Sequence, residues 1–250
     1  MFAYANSLDF SRTLNIFAAV LLQQISVGLS NDWLDYRRDK AANRVDKPTV
    51  SGLIKVSQLR AGSLIAAGLA EIVAILLGGP TAFAMVFMLV FGWSYNLGLK
   101  ATWSSVLPYA LGFGTVPIFV GLAATEPHLV PGWVVLVSAL LGVSAHFANV
   151  LPDLAADKLT GVNALPHILG QKISAIVIAV TALLATVIIV TQSSRLPEIA
   201  AVAGLVLTVL LAGAASLLSL RLKPPRVVFP LLMLAALTNV ILLVLGILAS

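Results

Sequence analysis

The chain contains no cysteine, which excludes a disulfide framework, a thiolate metal centre and a cysteine nucleophile. It is also poor in charge: Asp, Glu, Lys and Arg make up 10% of the 250 residues, against about 25% in a soluble domain. Nothing at Met1–Thr13 reads as a cleavable signal peptide, because that stretch is polar and aromatic. What the chain has instead is apolar residues, 60% of the total, with a mean hydropathy of +1.03. A soluble globular enzyme, a disordered chain and a nucleic-acid reader are all excluded, and a polytopic membrane protein is implied.

Eight apolar segments of spanning length follow one another: Thr13–Leu29, Ala61–Leu77, Thr81–Leu99, Val106–Ala123, Val130–Val150, Lys172–Thr191, Ala200–Leu220 and Val227–Leu248. Backbone groups in lipid must bond within their own segment, so these read as helices in an all-α bundle. No linker is long enough to separate soluble domains, and residues 1–250 form one membrane domain. Every Lys and Arg except Arg12 and Arg195 lies in the connections after the first, third, fifth and seventh segments. The positive-inside rule makes that face cytoplasmic and leaves both termini outside.

Six aspartates share that face, in two groups. Asn31, Asp32, Asp35 and Asp39 follow the first segment. If its helix continues, they occupy one arc about 100° wide. Asn149, Asp153 and Asp157 follow the fifth segment at spacings of four and form a second stripe. Oxygen donors without His or Cys suit a hard divalent cation such as Mg²⁺. That ion is commonly shared with substrate phosphates, so a diphosphate is the expected partner.

These residues carry a resemblance. Asn31-Asp32-x-x-Asp35-x-x-x-Asp39, followed by Asn43-Arg44-Val45-Asp46-Lys47-Pro48 and Ser51-Gly52, resembles the first signature of the UbiA superfamily of intramembrane prenyltransferases. Tyr95 with Lys100 resembles that family's Tyr-x-x-x-x-Lys element. Asn149 to Gly161, continued by Leu165-Pro166 and Leu169-Gly170, resembles the second aspartate signature. Ser26-Val27-Gly28, Asp46-Lys47-Pro48 and Asn149-x-Leu151-Pro152-Asp153 look most like an actinobacterial-type branch, with no substrate assigned. The resemblance implies nine spanning helices around a central cavity, with two facing aspartate motifs. The span missing here is the first, which accounts for Met1 falling outside.

The activity so implied is Mg²⁺-dependent transfer of a prenyl group from an isoprenyl diphosphate to a lipophilic or aromatic acceptor, at the cytoplasmic side of the cell membrane. Asn31, Asp35, Asp153 and Asp157 are the leading metal ligands, joined by Asp32, Asp39 and Asn149. Arg38, Arg44, Lys47, Lys100 and Lys158 are candidate diphosphate ligands. Tyr95 is the preferred aromatic face for an allylic cation, ahead of Trp33, Tyr36 and Phe91. His146 reads either as part of an acceptor pocket or as a packed helix-end histidine, and Glu71 is an ionisable group within a span. Two other readings remain open: a membrane transporter, in which Pro108 and Pro117 break the fourth segment, and a catalytically silent family member.

Overall fold

The computed structural model describes residues 9–45, 47–151, 154, 163–193, 196–219, 221 and 227–248. Among them are eight α-helices and no strand: α1 Phe10–Ala41, α2 Val56–Leu77, α3 Gly79–Asn96, α4 Val106–Leu122, α5 Gly132–Val150, α6 Leu165–Gln192, α7 Glu198–Ser219 and α8 Val228–Leu248. Six are long and apolar enough to cross a membrane. The other two, α3 and α4, are 18 and 17 residues long and carry the aromatic side chains that border the central cavity, Tyr95, Tyr109 and Phe113.

Asp9 starts α1 by accepting a hydrogen bond from the Arg12 backbone N–H at 2.8 Å. The helix then runs for 32 residues, about 48 Å at 1.5 Å per residue, well beyond a hydrocarbon core of about 30 Å. The excess, at the C-terminal end of the helix, bears the aspartates, with Asp35 and Asp39 buried. Ile16, Ala19, Gln23, Ser26 and Ser30 form one buried stripe along the apolar part, and the step from Ser30 to Asp35 turns the buried face by about 140° to the side of Asp35 and Asp39.

The helices pack in succession around a central space. α1 lies against α2 and α3, α3 against α4, α4 against α5 and α5 against α6; α8 closes on α5, α6 and α7. Small residues allow close approach. A Cβ at Gly142 of α5 would come within 2.5 Å of the Tyr109 carbonyl oxygen on α4, so only glycine lets these two helices meet there. Polar side chains tie helices together where lipid offers no partner: Trp93 Nε1 donates to Ser26 Oγ at 3.0 Å, and Ser26 Oγ donates to the Ser63 carbonyl at 2.8 Å. Thr186 Oγ1 joins Asn239 at 2.8 Å in the same way across α6 and α8. At the end opposite the aspartates, Arg12 Nη1 donates to the carbonyls of Leu77, Ala123 and Ala124 at 3.3, 2.7 and 3.3 Å, which caps α2 and α4 together.

Three expectations change. α4 runs unbroken through Pro108 and Pro117, so it offers no interrupted helix of the transporter kind. α6 begins at Leu165, seven residues before the expected Lys172, with a kink at Gly170 (φ 77°, ψ 170°). The kink sits where the apolar run stops and Gln171 and Lys172 intervene, which is why the earlier turns were hidden from a hydropathy reading. The amides of the first segment, Asn15, Gln23 and Gln24, are costly against lipid and are expected to turn inward or find partners on other helices. Gln23 does so, buried and donating to the Met88 carbonyl at 3.2 Å, while Asn15 is exposed.

Candidate active site

The C-terminal turns of α1 and α3, the end of α5 and the start of α6 converge at one end of the bundle. Gly98, with φ 146°, turns the chain out of α3 into the short 3₁₀ turn Leu99–Ala101, which carries Lys100 back toward α1. Lys100 Nζ reaches both oxygens of Asp35 at 2.6 Å and Asn31 Oδ1 at 3.0 Å. Arg38 Nη2 donates to the same Asp35 at 3.0 Å, and Lys47 Nζ meets Asp32 Oδ1 at 2.6 Å.

Burial sets the electrostatics here. The Lys100 ammonium is held below the usual lysine value because it is desolvated, an effect opposed by its bonds to Asp35. Asp39, ten residues beyond the apolar part of α1, is pushed above the usual carboxylate value by burial and then by the charge of Asp35. Its Oδ2 is buried with no hydrogen-bond partner among the described residues.

Two cavities meet at this end. The smaller, about 280 Å³, is polar and bordered by Asn31, Asp35, Arg38, Asp39, Arg44, Lys47, Lys100 and His167. The larger, about 830 Å³, runs into the bundle between α1, α3, α4, α5 and α8, with Val27, Met88, Phe113, Val116, Leu141 and Leu243 among its apolar walls and Gln23, Gln24 and Ser138 as polar points. Asn31, Tyr95 and Asn149 border both.

The junction is lined by aromatic rings. Tyr95 meets Tyr109 edge to face at 5.1 Å between centroids, and His146 lies 5.0 Å from Tyr109 and 5.8 Å from Tyr95. His146 is fully buried and lines neither cavity. It shares a hydrogen bond with Ser105 Oγ at 3.0 Å, and Ser105 accepts another from the Leu165 N–H at 3.1 Å. Of its two readings the packed one holds, and His146 backs the two tyrosines. Asn149 Nδ2 donates to the Tyr109 hydroxyl at 3.4 Å.

The structure thus gathers Asn31, Asp35, Asp39, Arg38, Arg44, Lys47, Lys100, Tyr95 and Asn149 around one chamber. Asp32 borders the larger cavity while bound to Lys47. Asp153, Asp157 and Lys158 lie outside the described residues. Among the described residues no three His, Asp or Glu side chains form a ready metal cluster, and Asp32 and Asp35 are held by lysine and arginine. Trp33 and Tyr36 border neither cavity: Trp33 packs against Trp93 and under the Arg60 guanidinium, and Tyr36 takes Lys40. Glu71 borders neither one either. Tyr109 and His167 are among the bordering residues that the sequence reading missed. Tyr109 had only its place beside Pro108 to mark it, and His167 sits inside the Leu165–Gly170 element whose flanking residues had matched.

An all-helical membrane bundle with a basic, oxygen-rich chamber opening on an apolar cavity is the class defined so far. The chain belongs to the UbiA prenyltransferase family, whose sequence model matches residues 1–237. It is 30% identical over 190 residues to the bacteriochlorophyll synthase 33 kDa chain of Cereibacter sphaeroides, covering 70% of this chain and 61% of that protein. It is 31% identical over 165 residues to digeranylgeranylglyceryl phosphate synthase of Methanothrix thermoacetophila, covering 63% and 58%. The chain therefore spans about three fifths of the length of these curated relatives. The fold matches that of a UbiA homolog from Aeropyrum pernix K1 (TM-score 0.76, 15% identity, 96% of this chain and 92% of that one). It also matches a UbiA homolog from Archaeoglobus fulgidus bound to DMAPP and Mg²⁺ (TM-score 0.75, 15% identity, 98% and 90%).

Proposed function

We propose that this chain transfers a prenyl group from an isoprenyl diphosphate to a lipophilic or aromatic acceptor, with Mg²⁺, at the cytoplasmic side of the cell membrane. One observation carries the reading: a polar chamber of about 280 Å³ and an apolar cavity of about 830 Å³ share Asn31, Tyr95 and Asn149 as their common border. A molecule with an anionic head and a hydrocarbon tail is what such a pair accommodates. The charge partition along the sequence supports a cytoplasmic position for the chamber.

The donor set fits a hard cation. Asn31, Asp32, Asp35 and Asp39 offer oxygen ligands, and the buried Asp39 Oδ2 has no donor among the described residues. These residues would hold Mg²⁺ together with Asn149, Asp153 and Asp157. The bound ion would stabilise negative charge growing on the departing diphosphate. Arg38, Arg44, Lys47 and Lys100 border the chamber and supply charged donors for phosphate oxygens, with Lys158 assigned to the same role by its motif position. The apolar walls hold the chain, each buried CH₂ contributing about 0.8 kcal/mol. Tyr95 stands where the head gives way to the tail, so its ring is the face offered to the allylic carbon as positive charge develops there. The buried His146 and Tyr109 hold that ring in place.

The test is diphosphate release and lipid product formation by the purified protein in lipid nanodiscs, with C10, C15 and C20 diphosphate donors, in Mg²⁺ and in chelator. Mg²⁺-dependent release from at least one donor is expected. Release from none of them, with no lipid lost when the gene is deleted, would overturn the reading.

A further inference from the structure

Two carboxylates of the α1 stripe, Asp32 and Asp35, are already engaged by the chain's own cations, and these cations are the same side chains that border the polar chamber. Asp32 is held by Lys47, and Asp35 by Arg38 and Lys100. Lys100 differs from the others in how fully it is used. An ammonium has three donors, and its three contacts, to Asp35 Oδ1, Asp35 Oδ2 and Asn31 Oδ1, take up all of them. It therefore has no donor left for a phosphate oxygen, and it covers the very oxygens a divalent ion needs. Arg38 has five donors and gives one to Asp35, so it can keep that bond and still reach a phosphate.

We propose that Lys100 is an exchangeable counter-ion: it holds Asp35 and Asn31 until a divalent cation and a diphosphate arrive together, then passes to the phosphate oxygens as the cation takes its place. This deepens the proposed function and rests on it. The argument is one of charge in a confined space. The Lys100 and Asp35 side chains are each only 11% exposed, so neither can be left without a partner cheaply. A divalent cation arriving alone displaces Lys100 into a chamber that already holds Arg38, Arg44 and Lys47. A diphosphate arriving alone draws Lys100 away and leaves Asp35 with one cation fewer, about one helical turn from the carboxylate of Asp39. When both arrive, each supplies what the other's arrival removes. The two ligands therefore bind with positive coupling, and the coupling is reciprocal. The four-carbon stem of lysine, anchored on the turn after Gly98, allows the exchange without moving a helix.

The test is Mn²⁺ binding read by electron paramagnetic resonance on the full chain, with inorganic diphosphate as the second ligand and free Mn²⁺ held equal in all arms. In the wild type, diphosphate should tighten Mn²⁺ binding by roughly tenfold. Lys100→Met should bind Mn²⁺ alone by a similar factor more tightly than wild type and should lose most of the response to diphosphate. Lys100→Gln should follow in the same direction, and Asp35→Asn should lose Mn²⁺ under every condition. If Asp35→Asn loses Mn²⁺ but both Lys100 variants bind it no more tightly than wild type, the metal site stands and the exchange is overturned. A wild type with no response to diphosphate overturns it as well, without recourse to any variant. If Asp35→Asn binds Mn²⁺ as well as wild type, or if none of the folded proteins binds it, the metal reading falls and the exchange falls with it.

Discussion

The Tyr95 ring meets the Tyr109 ring edge to face, 5.1 Å between centroids and 77° between planes, across α3 and α4 at the mouth of the apolar cavity. An edge-to-face pair fixes the orientation of a ring, and Tyr95 borders both the polar chamber and the apolar cavity. Tyr95→Phe should therefore retain most activity, because it keeps the ring. Tyr95→Leu should lose roughly tenfold or more in kcat with little change in donor KM, since a cation–π contact in a desolvated site contributes about 2 kcal/mol. Steady-state kinetics on the two variants checks this, and a Leu variant with wild-type kcat would remove Tyr95 from the reaction.

Asp35→Asn and Asp153→Asn should each abolish Mg²⁺-dependent ionisation of the donor while leaving membrane insertion intact. The amide keeps the side chain's volume and removes the charge that holds a hard cation. In Asp35→Asn the neighbouring Lys100 also loses its counter-ion, so this variant should melt at a lower temperature than wild type. Diphosphate release and melting in detergent are the two measurements. Near-normal turnover in either variant would count against a metal site built from two aspartate stripes.

Much of this site was legible because its first half lies on a single helix. Asn31, Asp32, Asp35 and Asp39 fall on one arc by helical spacing alone, and α1 does continue through them as one uninterrupted element. What could not be read is what depends on packing between distant parts of the chain. Tyr109 meets Tyr95 where α4 packs against α3, a relation that no local pattern records. His167 reaches the chamber because α6 starts before Gly170, where hydropathy had fallen. Arg12 had counted only as an exception to the charge partition, and its three carbonyl partners come from two helices far along the sequence.

That arrangement of Arg12 gives a stability prediction. Helix C-termini leave carbonyls without intrahelical donors and carry partial negative charge, so a guanidinium placed there both satisfies and neutralises them. Hydrogen bonds from a charged group contribute about 1.5–3 kcal/mol. Arg12→Gln should lower the melting temperature in detergent without changing donor KM, since the residue lies at the end of the bundle away from the chamber. Arg12→Lys should recover part of the loss, because a lysine keeps the charge with fewer donors and without the guanidinium's fork. A melting curve unchanged in Arg12→Gln would show that the capping is not what joins α2 and α4.

The last prediction concerns sidedness, which decides whether the chamber receives its donor from the cytoplasm. All of the 15 Lys and Arg except Arg12 and Arg195 fall on the side that carries the aspartates. Such a bias sets the orientation of helices during insertion. The connections at residues 31–60 and 151–171 are therefore expected in the cytoplasm and Ser250 outside. The chain has no cysteine, so single cysteines can be introduced without a background to remove. Asn43→Cys lies in the connection after α1, at an exposed position where a maleimide has access. In intact cells an impermeant maleimide should label Ser250→Cys and spare Asn43→Cys, and inverted vesicles should reverse the pattern. Labelling of both from one side would break the assignment. It would then place the polar chamber on a face that the basic residues do not mark, and the partition would need a cause other than topology.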